Sequence, residues 1–410
     1  MPSRDLTARV AEAFRLLPGR YLGAAPGFDA TYHIRLGDIG RTWEVRCTTH
    51  GARVRAGATR RTPDVVIGTD AATWLCLREG KLSGIEAFSQ RALYARGDLD
   101  LAVGFEGLFH LPNGRPPLLR IHDVPAGRLH VSTLTMGVGP DVVLLHGLGG
   151  TKSSFFDTAA FLSRSGYRVH AMDLPGFGGS SKPATIRYGA AFAARAALDA
   201  MDSLGIERAH LVGNSMGGRV AIEVGLEHPE RVGALALLCP AVAFVRRDWH
   251  PIVRVLRPEL GLLPHSLGRG RIERIFWSLF ADRDLVDPSV ADIVVDEFER
   301  IYRSPGARLA FLASARAIYL EAPFGRRGFY PRLATLRPPA LFVWSSHDRV
   351  IPERFRPHVE RWLPSAEQVV LEGCGHVPQV ERPDRTNGLL ARFFARADAL
   401  GAGGAALEAA

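Results

Sequence analysis

The stretch HLVGNSMGGRV, His210 to Val220, decides how the chain is read. An apolar run stops at a serine set between glycines, and a helix-compatible run follows. GNSMG, Gly213 to Gly217, matches the G-x-S-x-G pattern in the context it needs, with a strand before it and a helix after it. Such a turn forces the serine into a strained conformation, so its neighbours must be small. Gly213 and Gly217 remove side chains that would clash, and Gly218 lets the helix approach the sheet. The turn lifts the Ser215 hydroxyl above the strand ends and points a helix N-terminus at it, which favours developing negative charge. Ser215 is the expected nucleophile, in preference to a plain glycine-rich strand–helix turn.

A serine hydroxyl needs a base, and in this pattern an acid and then a histidine follow in chain order. LFVWSSHDRVIP places Asp348 just past a late apolar strand, and VVLEGCGHVPQVERP places His376 just past the next. Both fall where a parallel sheet presents its carboxyl ends, the edge that also carries Ser215. Asp348 is expected to hold the imidazole in the useful tautomer, and His376 to take the serine proton and later deliver it. His347 is a rival histidine, but a neighbour in sequence cannot easily turn back onto the Asp348 carboxylate. The other strand end that could hold the acid, near LLCPAV, has no carboxylate. Two N–H donors must face the developing oxyanion. The backbone N–H of Met216 is one. The N–H of Leu148, in LLHGLGGT after an early strand, is the other, and the Leu148 side chain is not the functional part. No step in this scheme calls for a cofactor or a metal.

Working outward, strand-like and helix-like segments alternate from residue 129. Near-continuous apolar strands between amphipathic helices imply a mostly parallel sheet covered on both faces. Residues 129–240 and 338–400 carry this rhythm. The interval 241–337 breaks it with helix-like pieces such as RIERIFWSLF, SVADIVVDEFERIY and ARLAFLASARAIYL, and reads as an inserted helical lid. Arg246 and Arg247 within it are read as a solvated face in preference to a carboxylate site. The tail 401–410 is expected to be flexible. Residues 113–128, rich in proline and glycine, read as a linker. Residues 1–112 before it mix helices with antiparallel strands, an α+β pattern. There Leu6, Val10, Phe14 and Leu17 recur at helical spacing. DAATWLCLREG reads as a helix with Asp70 as N-cap and Gly80 as its stop.

Length and composition fit this division. A chain of 410 residues exceeds one ordinary core. The formal charge of +9 could suit a nucleic acid, but the basic residues are scattered and no nucleic-acid module is present. Only Lys81, Lys152 and Lys182 are lysine, so a general preference for arginine accounts for the balance as well as any partner does. Cys47, Cys76, Cys239 and Cys374 lack metal-ligand spacing and read as buried small apolar residues. No apolar run is long enough to cross a bilayer. The N-terminus carries acidic residues among its apolar ones and reads as an amphipathic helix, not a signal peptide, so the cytoplasm is the expected location.

From about Leu129 to Leu400 the chain resembles the α/β-hydrolases. LLHGLGG, DLPGFGGSSKP, GNSMGG, HPERV, HDRVIP and GCGHVPQVERP fall in that family's order. The resemblance implies an α/β-hydrolase fold, makes the insert a lid over the active site, and makes DLPGFG structural. A serine at 215 argues against the epoxide hydrolases and haloalkane dehalogenases, which carry aspartate there. GNSMGG also resembles the meta-cleavage-product hydrolases, which break a carbon–carbon bond. Those enzymes tend to have proline in the loop after HG and tryptophan after the histidine, where this chain has HGLGGTK and Val377. Residues 63–109 resemble the sterol-carrier-protein type 2 family at Pro63, Asp64, Gly80, Leu82, Ala87, Phe88, Gly97 and Asp98, which implies a small α+β domain around an apolar tunnel. The expectation is a serine hydrolase acting on an ester or thioester of a hydrophobic, lipid-like substrate. Carbon–carbon hydrolysis and acyl transfer are the enzymatic alternatives, and a lipid carrier with a vestigial hydrolase domain is the non-enzymatic one.

Overall fold

The computed structural model describes residues 4–59, 62–184, 187–245, 257–263 and 267–408. Arg246 and Arg247 lie outside them. The chain divides into two compact units, Met1–Ile121 with Thr135–Gly137, and His122–Leu134 with Val138–Ala410.

The first unit begins with α1 (Arg4–Leu16) and holds a five-stranded sheet of order β3-β2-β1-β4-β5. Its strands are β1 (Asp29–Leu36), β2 (Arg41–Thr48), β3 (Gly51–Ala56), β4 (Val65–Thr69) and β5 (Leu93–Gly97). β1 pairs antiparallel with β2 and parallel with β4. Between β4 and β5 lie α2 (Ala71–Glu79) and α3 (Gly84–Ser89), and α4 (Leu99–Gly104) follows β5. The ends of α2 are those the sequence predicts. The Asp70 carboxylate accepts from the Thr73 N–H at 2.8 Å, and Gly80 closes the helix at φ 68°. The Asp64–Gly97–Asp98 group has a mechanical cause. Gly97 sits at φ +104°, and a Cβ there would lie 2.2 Å from the Asp64 carbonyl oxygen. Asp98 then caps α4 by accepting from Leu101 N–H. Within the core, Phe14 stacks on Trp43 with centroids 4.3 Å apart and on Trp74 at 4.6 Å.

The second unit is built on an eight-stranded sheet of order β13-β12-β11-β10-β8-β9-β7-β6. Its strands are β6 (Leu119–Ala126), β7 (Leu129–Met136), β8 (Asp141–Leu145), β9 (Arg168–Met172), β10 (Ala209–Asn214), β11 (Val232–Leu238), β12 (Ala340–Ser345) and β13 (Glu367–Leu371). β8 pairs parallel with β9 on one side and with β10 on the other. The strand order therefore reverses at β8, and the crevice above β8 and β10 is where an α/β sheet binds ligands. Every residue of β10 and β12 is buried, as a strand covered on both faces requires. α6 (Ala190–Ser203) packs on α7 (Met216–Glu227), and α5 (Phe156–Arg164) on the last helix, Pro383–Glu408.

One sequence expectation needs correction. The proposed linker 113–128 contains strand β6 at the edge of the large sheet, so the sheet begins within it; Leu119, Val124 and Ala126 bury apolar side chains there. The last helix, Pro383–Glu408, takes in residues 401–408 of the tail. Among the described residues, the inserted segment between β11 and β12 carries α-helices Arg269–Trp277, Pro288–Tyr302, Pro305–Leu320 and Phe329–Leu333, the first three falling on the three pieces that the sequence predicts as helical.

Among the described residues of the second unit, Lys152 and Asp173 form a fully buried ion pair. Lys152 and Asp173 are both 0% exposed. The Lys152 ammonium donates to Asp173 at 2.6 Å and to the Ser132 hydroxyl at 3.1 Å. Asp173 also accepts from the backbone N–H groups of Lys152 and Gly179. This lashes the loop after β8 to the loop after β9. Asp173→Ala leaves a buried ammonium uncompensated and is expected to cost about 3–5 kcal/mol. Urea unfolding checks this. Lys152→Met combined with Asp173→Leu is expected to recover part of the loss, the remainder reflecting the two unpaired N–H groups.

Candidate active site

Ser215 stands where β10 hands over to α7, at φ 52° and ψ −114°, outside the ordinary regions for a residue with a side chain. The neighbouring glycines are required by contact. A Cβ on Gly217 would lie 2.0 Å from the Leu145 carbonyl oxygen, and one on Gly213 would lie 2.3 Å from the Gly217 carbonyl oxygen. The turn is pinned from outside by Ser215 N–H donating to Leu238 O at 2.9 Å and Ala241 N–H donating to Ser215 O at 2.9 Å. Met216 is the first residue of α7, so its N–H has no acceptor within the helix.

Asp348 and His376 are brought together across 28 residues of sequence. His376 Nδ1 and Asp348 Oδ2 are 2.7 Å apart, and both side chains are buried. The other carboxylate oxygen of Asp348 accepts from Val350 N–H at 2.7 Å and Ile351 N–H at 2.9 Å, which fixes its plane. With Asp348 accepting, the hydrogen sits on Nδ1 and leaves the Nε2 lone pair of His376 free. The rival His347 instead bonds through Nδ1 to Ser346 Oγ. Ser215 and the His376 loop are linked by Asn214, whose amide donates to Leu238 O and to His376 O, each at 3.1 Å. Among the described residues no hydrogen bond joins the Ser215 hydroxyl to His376. Such bonds are often long before substrate arrives.

The loop carrying Leu148 is held against the serine turn. A Cβ on Gly147 would lie 3.3 Å from Ser215 Cβ. His146 is fully buried below it, within 2.7 Å of Gly147 O through Nδ1, while its Nε2 accepts from Leu174 N–H at 2.9 Å. Those two bonds assign the hydrogen to Nδ1, and burial holds the ring's pKa below its ordinary value, so His146 stays neutral. The sequence reading gave His146 only a place in a turn; its bonding to two separate loops was not visible there. Gly149 lies under Phe298 and Phe311 of the inserted helices.

Glu381 is a second residue that the motifs do not single out. Its carboxylate accepts from Gly375 N–H at 2.6 Å, from Ala281 N–H at 2.9 Å and from Asp282 N–H at 2.7 Å. His376 N–H also donates to Leu279 O at 2.7 Å. The histidine turn is thus bolted to the inserted segment. Cys239, at φ 43°, lies beside the Asp348–His376 pair, its thiol 3.3 Å from Ser345 Oγ. Cys239, Asp348 and His376 hold potential ligand atoms within 4.8 Å of one another. Burial pushes the thiol well above its ordinary pKa.

Met216 also lines a small pocket. Leu174, Phe177, Tyr188, Phe192 and Ile318 supply apolar walls. Its one cation, Arg219, is bound by Glu223 at 2.7 Å and by Glu321.

Comparison with known proteins agrees with this geometry. Residues 142–389 match the alpha/beta hydrolase family, and residues 15–110 match the SCP-2 sterol transfer family. A 2-hydroxy-6-oxononadienedioate/2-hydroxy-6-oxononatrienedioate hydrolase of Pseudomonas sp. is 31% identical over 275 residues, 66% of this chain and 93% of that protein. A pimeloyl-[acyl-carrier protein] methyl ester esterase of Aeromonas hydrophila is 28% identical over 265 residues, 65% of this chain and 99% of that protein. Among solved structures, a bacterial membrane phospholipase A superposes with a TM-score of 0.58 at 27% identity, covering 68% of this chain and 87% of the other. The 2-hydroxy-6-oxo-6-phenylhexa-2,4-dienoate hydrolase of Rhodococcus sp. strain RHA1 does so at 0.55 and 27%, covering 67% and 99%. With the serine turn and the two-sided parallel sheet already in place, the chain belongs to the alpha/beta hydrolase family and is an enzyme of hydrolase type.

Proposed function

We propose that the second unit is a serine hydrolase that cleaves an ester or thioester of an apolar acyl substrate through an acyl-enzyme on Ser215. The observation that carries this reading is the 2.7 Å Asp348–His376 bond at the sheet edge where Ser215 is held at φ 52°. His376 Nε2 takes the Ser215 proton as Oγ attacks the carbonyl carbon. The Leu148 and Met216 N–H groups receive the oxyanion. Collapse breaks the acyl–oxygen or acyl–sulfur bond, and His376 returns the proton to the leaving alcohol or thiol. Water then repeats the sequence on the acyl-enzyme and releases the acid.

The apolar pocket beside Met216 favours a neutral acyl chain, since Arg219 is already taken up by two carboxylates. The match of residues 15–110 to a sterol transfer family supports an apolar substrate as well. Carbon–carbon hydrolysis is the second reading, favoured by relatives named as dienoate and dienedioate hydrolases at 31% identity. Val377 and the HGLGGTK loop depart from that group's pattern.

A fluorophosphonate probe is expected to label the protein, and Ser215→Ala to abolish labelling; labelling that survives the substitution defeats the assignment. Asp348→Asn is expected to lower kcat by about 10⁴-fold through loss of the correct tautomer. Glu381→Ala frees the histidine turn from the inserted segment and is expected to lower kcat by up to about 10²-fold by misplacing the imidazole, measured on p-nitrophenyl butyrate. A series of p-nitrophenyl esters beside aryl dienoates separates the two readings. Turnover that rises with acyl length supports the first, and turnover of dienoates alone overturns it.

A further inference from the structure

The turn that carries the Leu148 N–H runs from Gly147 to Gly150 and is closed by Gly150 N–H donating to Gly147 O at 3.1 Å. His146 holds its first residue, with Nδ1 within 2.7 Å of Gly147 O. The third residue, Gly149, stands at φ +76°, the conformation a type II turn needs at that position. It is met there by the inserted segment. A Cβ on Gly149 would lie 3.0 Å from Cε2 of Phe311 and 3.2 Å from Cε2 of Phe298, crowding both rings. Two ring edges therefore bear on the backbone next to Leu148. An oxyanion donor works only when it is held within about 0.5 Å of the productive geometry, so whatever supports this turn supports the donor.

The two rings are firmly mounted. Phe298 stacks on Tyr302 with centroids 5.1 Å apart. Phe311 stands edge-on to both, 6.3 Å from Phe298 and 5.9 Å from Tyr302. Tyr302 ends helix Pro288–Tyr302, and Phe311 belongs to the next helix, Pro305–Leu320. Arg308, 4% exposed, joins the two helices. Its Nη1 donates to Tyr302 O at 3.1 Å and to Arg303 O at 2.7 Å, carbonyls at and just past a helix end that the helix itself cannot satisfy. Helix Pro305–Leu320 is in turn pressed onto the loop after β9. A Cβ on Gly176 would lie 2.4 Å from Cβ of Ala310, and one on Gly306 would lie 2.7 Å from Lys182 O. Just past the far end of that helix, Glu321 accepts from Arg219 Nε of α7 at 2.9 Å. The inserted segment is thus fastened at the β9 loop, at α7 and, through the Glu381 carboxylate, at the histidine turn.

We infer that Phe298 and Phe311 are positioning residues for the oxyanion site. The two ring edges hold Gly149, Gly149 holds the turn, and the turn aims the Leu148 N–H. Neither ring touches a reacting atom. The inserted segment serves here as a fixed part of the frame and not as a cover that swings clear. This inference rests on the reading of Ser215 as nucleophile and of Leu148 as oxyanion donor, and adds that the donor depends on two side chains of the insert.

Phe311→Leu, which keeps an apolar side chain but gives up the ring edge on Gly149, tests this in the full chain. Turnover of p-nitrophenyl butyrate is expressed per serine labelled to completion by a fluorophosphonate, so that misfolded protein does not count. kcat is expected to fall about ten- to hundredfold with KM within about threefold, because an oxyanion donor acts on the transition state. Phenylboronic acid, which forms a tetrahedral adduct on the Ser215 oxygen, is expected to lose affinity by about the factor lost in kcat/KM. Phe298→Leu is expected to show the same pattern, and it serves if Phe311→Leu does not fold. A kcat per labelled serine within about twofold of wild type assigns the rings to the fold alone and overturns the proposal. A rise in KM with kcat unchanged makes the rings a substrate wall and overturns it too, as does undiminished boronate affinity beside a reduced kcat. Wild-type protein that neither labels nor turns over the ester defeats the Ser215 reading itself, and the proposal falls with it.

Discussion

The second unit depends on one tight steric constraint, the approach of the α7 backbone to the ends of β8 and β10. Gly217 lies so near Leu145 O that a Cβ would stand 2.0 Å from it, and Gly213 is as close to the Gly217 carbonyl. Only with those two side chains missing can Ser215 be carried at φ 52° with its hydroxyl clear of the sheet. Once that turn is set, the loop from β8 can lie against it, and the Asp348 and His376 loops fall on the same edge because β12 and β13 run parallel to β10. Strain at one residue is thus held by close packing around it.

The loops that surround the serine are tied to one another more than to solvent. His146 joins the β8 loop to the segment after β9, and Lys152 and Asp173 join the same two segments by a buried ion pair. Glu381 and Asn214 do the corresponding work for the histidine turn, one toward the inserted helices and the other toward β11. A site held in this way keeps donors and acceptors oriented before substrate arrives, which is where most of the electrostatic advantage of such enzymes lies.

The first unit follows a different logic. Its turns are made by local chemistry, Asp70 and Asp98 at helix starts and Gly80 and Gly97 at positive φ. Its core sets a stack of rings, Trp43, Phe14 and Trp74, among aliphatic side chains. A guanidinium inside that core, that of Arg78, is an exception to the usual segregation of charge.

The sequence alone determined what depends on neighbours in the chain. The serine turn, the helix caps and the alternation of strand and helix are set by backbone geometry over a few residues, and the chain order of Ser215, Asp348 and His376 fixed which strand ends carry them. Only the tertiary structure decided the rest. Residues 119–126 looked like linker because proline and glycine flank them, yet an open sheet edge was available to pair with them. Lys152 and Asp173 are 21 residues apart, and Glu381 reaches a backbone N–H 100 residues away. Cys239 reads as an ordinary buried residue until packing sets it beside the dyad, and Arg78, which no motif singles out, is set by packing against Trp74 and Phe109. Hydrogen bonding and desolvation depend on distance in space, and no spacing along the chain encodes it.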